Sequence, residues 1–219
     1  ACLRAHEGGR GLLVSGVPGT KAADVVIIGG GVVGANAARL AVGMGARVTI
    51  FDRSLPRLRY LSDIFGAAIE TRYSTGAALA EALLSADMVI GAVLIPGASA
   101  PRLVSRAHLK QMKPGAVLVD VAIDQGGCFE TSRPTTHQDP TYVVDGMVHY
   151  CVTNMPGAVP LTSSEALNNA TLPFVLALAE KGMAALEGDS HLAAGLNVHQ
   201  GKLVHPAVIK ALHHLTAAE

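Results

Sequence analysis

The sequence contains no tryptophan, and aromatic residues make up only 4% of its 219 residues. Half of the residues are nevertheless hydrophobic, and these are mostly Ala, Val, Leu and Ile. Such a composition suits a parallel sheet covered by helices better than an aromatic-rich β-sandwich. The length is sufficient for one sizeable domain, or for one domain and an appendage.

An excess of either charge is also lacking, because 17 acidic residues balance 17 basic ones. The sequence therefore has no electrostatic footprint for a nucleic acid or an anionic membrane, and we expect neither as a partner. Apolar runs such as residues 24–46 are interrupted by glycines or are amphipathic, so none has the unbroken length of a membrane-spanning helix. No basic-then-apolar signal sequence opens the chain.

Cysteine is scarce, and the three cysteines are widely spaced without a paired ligand pattern. This pattern predicts reduced thiols in a cytoplasmic protein and no structural zinc site. Cys128 is expected to pack as a small residue rather than to act as a nucleophile. The nine histidines form no close ligand or triad pattern, so no metal site is expected. We place four of them in loops, at sheet edges or on a helix surface: His137, His149, His213 and His214.

Strand-like and helix-like segments alternate along most of the chain. The predicted strands lie at residues 11–16, 24–28, 47–52, 67–74, 87–94 and 115–123, with two more around Asp145-Gly146. The predicted helices lie at residues 32–46, 55–65, 76–86 and 105–112, and a longer helical region begins at serine caps at Ser163-Ser164. Gly45 is placed to end the first of these helices. A short amphipathic helix closes the chain near residues 205–215. This alternation predicts an α/β fold, a Rossmann-type doubly wound parallel sheet with C-terminal helices.

A glycine-rich turn follows the predicted strand at 24–28 and opens the next helix. It contains the pattern Gly29-x-Gly31-x-x-Gly34, and Asp52 ends the next strand eighteen residues after Gly34. Gly29 permits a tight turn, Gly31 lets a pyrophosphate approach the backbone, and Gly34 lets helix and strand pack closely. The helix N-terminus offers N–H groups and a partial positive charge to the phosphates. The alternative is a glycine-rich turn without a ligand.

The acid at the end of the second predicted strand indicates which dinucleotide is bound. The Asp52 carboxylate has the position of an acid that binds ribose hydroxyls, and it would repel a 2′-phosphate. Arg53 follows it and could serve such a phosphate. The carboxylate favours NAD over NADP.

Two aspartates mark the apolar run at residues 115–123. Asp120 interrupts the run, and Asp124 directly follows it. An isolated charge is costly to bury, so each carboxylate either bonds to the backbone or serves a ligand. We expect Asp120, within the strand, to be structural and bonded to neighbouring backbone. Asp124 is expected to end the strand and to face a ligand, with a turn cap as the alternative.

Several stretches together resemble the alanine dehydrogenases, over nearly the whole chain. The most specific are DVAIDQGGCFETSRPTT at residues 120–136 and NMPGAVPLTS at residues 154–163. The nucleotide-binding domain of membrane transhydrogenases shares the early motifs but diverges in these later ones. The resemblance implies NAD-dependent, reversible oxidative deamination of L-alanine to pyruvate and ammonia. It also implies a homohexamer, with Asp124 as the catalytic aspartate.

The same resemblance implies a set of NAD contacts, most of them at the carboxyl ends of strands. In the adenosine half, Val32 and Val33 offer N–H groups to the pyrophosphate, Asp52 binds the ribose, and Arg57 and Ser74 flank the adenosine. Val93 and Leu94 line the same crevice. The nicotinamide half is enclosed by Val121, Ala122, Ile123, Asp124, Arg133, Val152, Thr153, Asn154 and Met155. The alternative for Asn154, which precedes Met155-Pro156, is a turn residue alone.

The resemblance further implies how the chain is divided. Residues 1–11 would end a helix that links two domains, residues 12–157 would form the NAD-binding domain, and residues 158–219 would pack on a substrate domain. The family's substrate-domain motifs, which hold the alanine carboxylate and supply an acid/base, do not occur in these residues. An exposed apolar face is therefore expected after residue 157. Alternatives are a stand-alone NAD-binding or oligomerisation module without turnover, and a transhydrogenase-like nucleotide-binding component.

Overall fold

The computed structural model describes residues 1–93 and 101–212. These residues belong to two compact units, one formed by residues 1–93 and 101–155 and the other by residues 156–212. The first unit carries a seven-stranded sheet, and the second is mainly helical.

The first unit is an open, twisted α/β sheet with crossover helices. Its strands are β1 (Asp24–Ile28), β2 (Arg47–Asp52), β3 (Ile69–Tyr73), β4 (Met88–Gly91), β5 (Val117–Asp120), β6 (Thr141–Val144) and β7 (Met147–Tyr150). Its helices are α1 (Val32–Gly43), α2 (Leu55–Phe65), α3 (Gly76–Ser85) and α4 (Arg106–Leu109). The strand order is β3-β2-β1-β4-β5-β7-β6, parallel except that β6 pairs antiparallel with β7. The predicted doubly wound Rossmann architecture is confirmed.

Side chains of the sheet alternate between two buried clusters, one on each face. In β1, Val26 and Ile28 belong to the first cluster, whereas Val25 and Ile27 belong to the second. Helix α3 covers the first cluster, and α1 covers the second with small side chains. The contributing helix residues are Leu79, Ala82 and Leu83 of α3 and Ala35, Ala38 and Ala41 of α1. Burial on both faces explains the continuous apolar strands in the sequence.

Helix α1 ends as its sequence predicts. Gly45 has a left-handed φ of +81°, and its N–H donates to the Val42 carbonyl at 2.8 Å. The Ala46 N–H donates to the Ala41 carbonyl at 3.0 Å, so two terminal carbonyls of α1 are satisfied.

Several sequence predictions for this unit are wrong in detail. Residues 11–16 form no strand, because Leu12 and Val14 pack on the second cluster from an irregular segment. Strands β4 and β5 are shorter than their apolar runs, because β4 ends at Gly91 and β5 at Asp120. His149 is buried within β7, between β5 and β6, rather than at an edge or in a loop. Helical backbone within residues 1–11 is a single 3-10 turn, Ala5–Glu7.

The second unit comprises α5 (Pro160–Lys181), α6 (Ala185–Gly188), α7 (Ser190–Ala193), the hairpin strands β8 (Val198–His199) and β9 (Lys202–Leu203), and α8 (Pro206–Ala211). The predicted serine cap of the long helix is wrong, because α5 already begins at Pro160. Ser163 lies inside the helix, and its hydroxyl oxygen lies 3.0 Å from the carbonyl oxygens of Pro156 and Val159, either of which can accept its hydrogen. His213 and His214 lie outside the described residues.

In the described parts of the chain, every helix is too short or too polar to cross a membrane.

A buried carboxylate joins three segments at the amino ends of the strands. Asp87, only 4% exposed, accepts from the Asp24 N–H at 2.9 Å and pairs with Arg10 and Lys113 at 3.0 Å each. These contacts attach the segment before β1 and the connection before β5 to the start of β4.

We expect Asp87→Ala to lower the free energy of unfolding by about 2 kcal/mol, because it removes the buried acid that Arg10 and Lys113 share. Urea unfolding measures this change. Glu81→Ala, which removes the exposed partner of Arg72, is the matched control and should cost less than about 1 kcal/mol. Equal effects of the two substitutions would contradict a special role for Asp87.

Candidate functional site

The turn after β1 is built by close backbone contacts that glycines allow. Gly29 has φ +103°, its N–H donates to the Phe51 carbonyl at 2.8 Å, and a Cβ there would lie 2.7 Å from the Ala92 carbonyl oxygen. A Cβ at Gly34 would overlap the Gly29 carbonyl oxygen. The ends of β1 and β4 and the first turn of α1 therefore converge at one point.

Gly31 differs from these two glycines because it faces open space. A Cβ at Gly31 would meet no heavy atom of the described residues within 4 Å. Gly31 is also the residue before α1, so the first N–H groups of the helix have no intrahelical acceptors. Val32 and Val33 are 77% and 41% exposed beside it. An open backbone turn at a helix N-terminus suits a phosphate group.

Asp52 holds its carboxylate at the mouth of this turn. Its Oδ2 accepts from the Gly30 N–H at 2.7 Å, and its Oδ1 accepts from the Ser54 N–H at 2.8 Å. A carboxylate has about four acceptor positions, so two of them can still accept sugar hydroxyls. The Ser74 N–H donates to the Asp52 carbonyl at 2.9 Å, which places the predicted adenine-flanking residue next to the predicted ribose acid.

Arg57 is bound to the turn itself. Its guanidinium donates to the carbonyl of Gly30 and, at 3.2 Å, to that of Gly31, and it lies over the Tyr60 ring. Arg57 therefore neutralises two carbonyl oxygens of the turn that precedes α1. Its predicted contact with the adenosine half stays a prediction.

The loop after β5 is organised by Asp120, which is fully buried. Its Oδ1 accepts from the Ala122 N–H at 3.2 Å. Its Oδ2 accepts from the Cys128 N–H at 2.8 Å and from the Ser132 hydroxyl. Burial raises the pKa of this carboxyl, and the hydrogen bonds oppose the rise. The expected bonding of Asp120 to neighbouring backbone is confirmed.

Asp124 lies beyond the strand rather than at its end. Strand β5 ends at Asp120, and Asp124 belongs to a 3-10 turn, Ile123–Gln125, where its side chain is exposed. The sequence prediction placed it at the strand end because the apolar run continues through Ile123. Asp124 Oδ2 accepts from the Asn154 N–H at 3.4 Å, so two motifs distant in sequence meet here.

The other predicted nicotinamide residues differ in their backbone hydrogen bonds and in how deeply they are buried. The Val121 N–H donates to the Gly91 carbonyl at 2.9 Å and extends the β4–β5 ladder. The Thr153 N–H donates to the Thr135 carbonyl at 3.1 Å. Buried members are Ala122, Ile123 and Val152, and half-buried members are Val121, Thr153 and Met155. Val93, which is predicted to line the crevice of the adenosine half, is also half-buried. Leu94 lies outside the described residues.

Arg133 is supported by a network that the sequence pattern did not indicate. Its guanidinium lies 4.0 Å from the centre of the Tyr142 ring, and the backbone N–H of Arg133 donates to the Tyr142 hydroxyl at 2.8 Å. Tyr142 stacks on His149, whose Nε2 bonds to the Thr131 hydroxyl at 2.7 Å. Burial lowers the pKa of His149 and raises that of Tyr142. The partners lie on β6, β7 and a loop, so tertiary contacts alone reveal the network.

Cys128 packs beneath the same loop. Burial, with the nearby Asp120 charge as a smaller cause, raises the pKa of its thiol to about 12. A thiol that stays protonated is a poor nucleophile, which supports the predicted packing role.

Two cavities lie at the opposite end of the sheet, near the amino ends of β1 and β2. They measure about 490 and 390 Å³, and ion pairs such as Arg47 with Asp24 line both. Ligands of open α/β sheets bind at the carboxyl ends of strands, so the site is assigned to that end. Among residues 1–93 and 101–212, no group of three or more acidic, histidine or cysteine side chains is placed to hold a metal ion.

Comparison with known proteins adds a family to this geometry. The family model described as alanine dehydrogenase/PNT, C-terminal domain, matches residues 1–206. The chain is 61% identical to an alanine dehydrogenase of Halomonas elongata, covering 99% of the chain and 59% of that relative. It is 54% identical to an alanine dehydrogenase of Bacillus subtilis, covering 96% of the chain and 56% of that relative. The chain thus spans less than two thirds of these relatives.

Two solved structures are similar to this chain in fold. The fold is similar to a solved L-alanine dehydrogenase with a TM-score of 0.91 and 55% identity, covering 98% of this chain and 59% of that one. A transhydrogenase from Sinorhizobium meliloti is similar with a TM-score of 0.68 and 29% identity, covering 86% of this chain and 51% of that one.

Substitution by alanine should be costly at Gly34 and nearly neutral at Gly31. Gly34→Ala is expected to lower the free energy of unfolding by about 2 kcal/mol or more, because its Cβ would overlap the Gly29 carbonyl. Gly31→Ala should change it by less than about 0.5 kcal/mol, because the site is open. Denaturant unfolding measures both, and a costly Gly31→Ala would show that this glycine serves the fold itself.

The buried His149 should make the protein less stable in mild acid. Its folded-state pKa lies below its ordinary value near 6.5, so the unfolded chain binds the proton more strongly. The contribution of His149 to the free energy of unfolding is therefore complete above pH 6.5 and is lost as the pH falls below that value. In His149→Phe, unfolding free energy measured from about pH 8 to 5 should vary less than in the parent.

The exposed His6 provides the control for this measurement, and the pH dependence should change more in His149→Phe than in His6→Phe. Asp120, whose folded pKa is raised, is present in all three proteins and cancels in the comparison. An unchanged pH dependence in His149→Phe would contradict the assignment.

Proposed function

The chain belongs to the alanine dehydrogenase/PNT C-terminal domain family, and from that premise we propose that it is the NAD-binding part of an alanine dehydrogenase. The observation that carries the proposal is that two clusters lie at the carboxyl ends of the strands. One is the open turn at Gly31 beside Asp52, and the other is the contact between Asp124 and Asn154. A dinucleotide needs two such subsites at the carboxyl ends of neighbouring strands.

NAD would bind with its pyrophosphate over Gly31 and the N–H groups of Val32 and Val33. Its adenosine ribose would donate hydroxyl hydrogen bonds to Asp52. The carboxylate supports NAD rather than NADP, because it would face the extra phosphate of NADP with a like charge. Arg53 is exposed next to it and does not remove that charge.

The proposed reaction of the whole enzyme is reversible oxidative deamination of L-alanine to pyruvate and ammonia. Bound NAD supplies the hydride acceptor. Asp124 provides a fixed negative charge that stabilises the cationic imine of the substrate as the hydride leaves, and it orients water or ammonia. The Asn154 N–H restrains the Asp124 carboxylate for this role.

Turnover also needs groups that hold the substrate carboxylate and transfer protons. We propose that a separate substrate domain supplies them and that residues 158–219 pack on it. Helix α5 supports this arrangement because many of its apolar side chains are exposed, namely Leu161, Leu167, Leu172, Phe174, Val175, Leu176 and Leu178. Proximity and acid/base catalysis each contribute orders of magnitude, so these residues alone should bind NAD without turnover.

We further propose a cytoplasmic homo-oligomer, a hexamer by resemblance to the family. The free thiols of Cys2, Cys128 and Cys151 support a reducing compartment. The exposed apolar side chains of α5 support association, although a substrate domain and a second subunit would compete for the same surface.

NADH binding, followed by fluorescence of the purified 219-residue chain, tests the cofactor assignment. Asp52→Asn should weaken NADH binding about tenfold or more, because ribose hydroxyls lose a charged acceptor. Asp63→Asn, an exposed acid on α2, should leave the affinity unchanged. An Asp52→Asn variant with the parent's affinity would contradict the ribose assignment.

The same sample, supplied with L-alanine and NAD, tests whether turnover needs a separate substrate domain. Binding without NADH production is expected from this chain. Production of NADH would contradict the proposal that a separate domain supplies the proton-transfer groups.

A further inference from the structure

His137 lies beside the Asp124–Asn154 contact, although its sequence context gives no sign of a role there. Its ring Nε2 lies 3.1 Å from the Asn154 carbonyl oxygen. A carbonyl can only accept, so Nε2 must carry the hydrogen, in either the neutral or the charged ring.

Asn154 has an unusual backbone conformation that these contacts hold. Its φ is +50°, in the left-handed region that costs most residues about 1 kcal/mol and that asparagine tolerates better. Its N–H donates to Asp124 on one side, and its carbonyl accepts from His137 on the other. Rotation about φ would move the N–H, and rotation about ψ would move the carbonyl. The two bonds therefore restrain both dihedral angles of Asn154.

The segment that carries His137 is itself anchored beside the end of β7. The Thr135 N–H donates to the Cys151 carbonyl at 3.0 Å, and the Thr153 N–H donates to the Thr135 carbonyl at 3.1 Å. The Thr135 hydroxyl donates to the Pro140 carbonyl at 3.0 Å. His137 thus extends from a segment whose backbone is hydrogen-bonded at Thr135, two residues before it.

We propose that His137 is a positioning residue, which holds Asn154 in its left-handed conformation so that the Asn154 N–H faces Asp124. Without the His137 bond, Asn154 relaxes toward an extended conformation and its N–H turns away from the carboxylate. The consequence for cofactor binding rests on the proposed function, because Asn154 and Asp124 are assigned there to the nicotinamide half. The backbone part of the proposal holds for the chain without a ligand.

A spectroscopic double substitution tests the backbone part. In the parent, Asp124→Asn removes the charge facing the Asn154 N–H, so the Asn154 amide resonance should move in a ¹H–¹⁵N spectrum. In a His137→Leu background the same substitution should leave that resonance in place. In a His137→Gln background, where an amide N–H replaces the ring donor, the movement should return. A full response in His137→Leu would overturn the proposal.

NADH titration of the same variants tests the consequence. His137→Leu should weaken NADH binding about fivefold, the size expected for one lost hydrogen bond, and His137→Gln should restore it. His6→Leu, at an exposed histidine elsewhere, is the matched control. Unchanged affinity in His137→Leu, with a parent that binds NADH, would overturn the cofactor part. A parent that binds no NADH would instead contradict the proposed function, while the spectroscopic test still decides the backbone part.

Discussion

The site depends on the close packing of one peptide group, the carbonyl of Gly29, against the first turn of α1. Gly34 can pass over this carbonyl only because it has no side chain, and Gly29 can approach the Ala92 carbonyl for the same reason. These contacts place the N-terminus of α1 directly above the crevice between β1 and β4, where the strand order reverses. Any change that separates helix from strand would remove the helix N–H groups from the position where a phosphate can bind.

Two aspartates at strand ends differ in burial and therefore in the acceptor capacity that they keep. Both Asp52 and Asp120 accept backbone N–H groups of the loop beside them. Asp120 is fully buried, and protein donors occupy both of its oxygens. Asp52 is half-buried and keeps acceptor capacity toward solvent. Asp124, four residues beyond Asp120, is exposed because the loop that Asp120 organises carries it out of the core.

Much of the fold was predictable because local patterns agree with the tertiary structure. The alternating strands and helices, the helix stop at Gly45 and the spacing of the glycines to Asp52 are local signals, and the structure has all of them. The family resemblance read from residues 120–136 and 154–163 is also confirmed. The cofactor residues assigned from it remain predictions.

The errors occur where tertiary contacts override a local pattern. Leu12 and Val14 are apolar because they cover a cluster, not because they pair with a strand. His149 is polar yet buried, since Thr131 and the Met147 carbonyl satisfy its ring nitrogens. His137 had no sequence signal, because its partner Asn154 is brought to it by the path of the loop beside β7.

A crystal structure of the chain with NADH would decide whether the two proposed subsites bind one dinucleotide. We expect the pyrophosphate over Gly31, the adenosine ribose on Asp52, and the nicotinamide between Asp124 and Asn154. NADH bound instead at the amino ends of the strands, or with its ribose away from Asp52, would contradict this expectation.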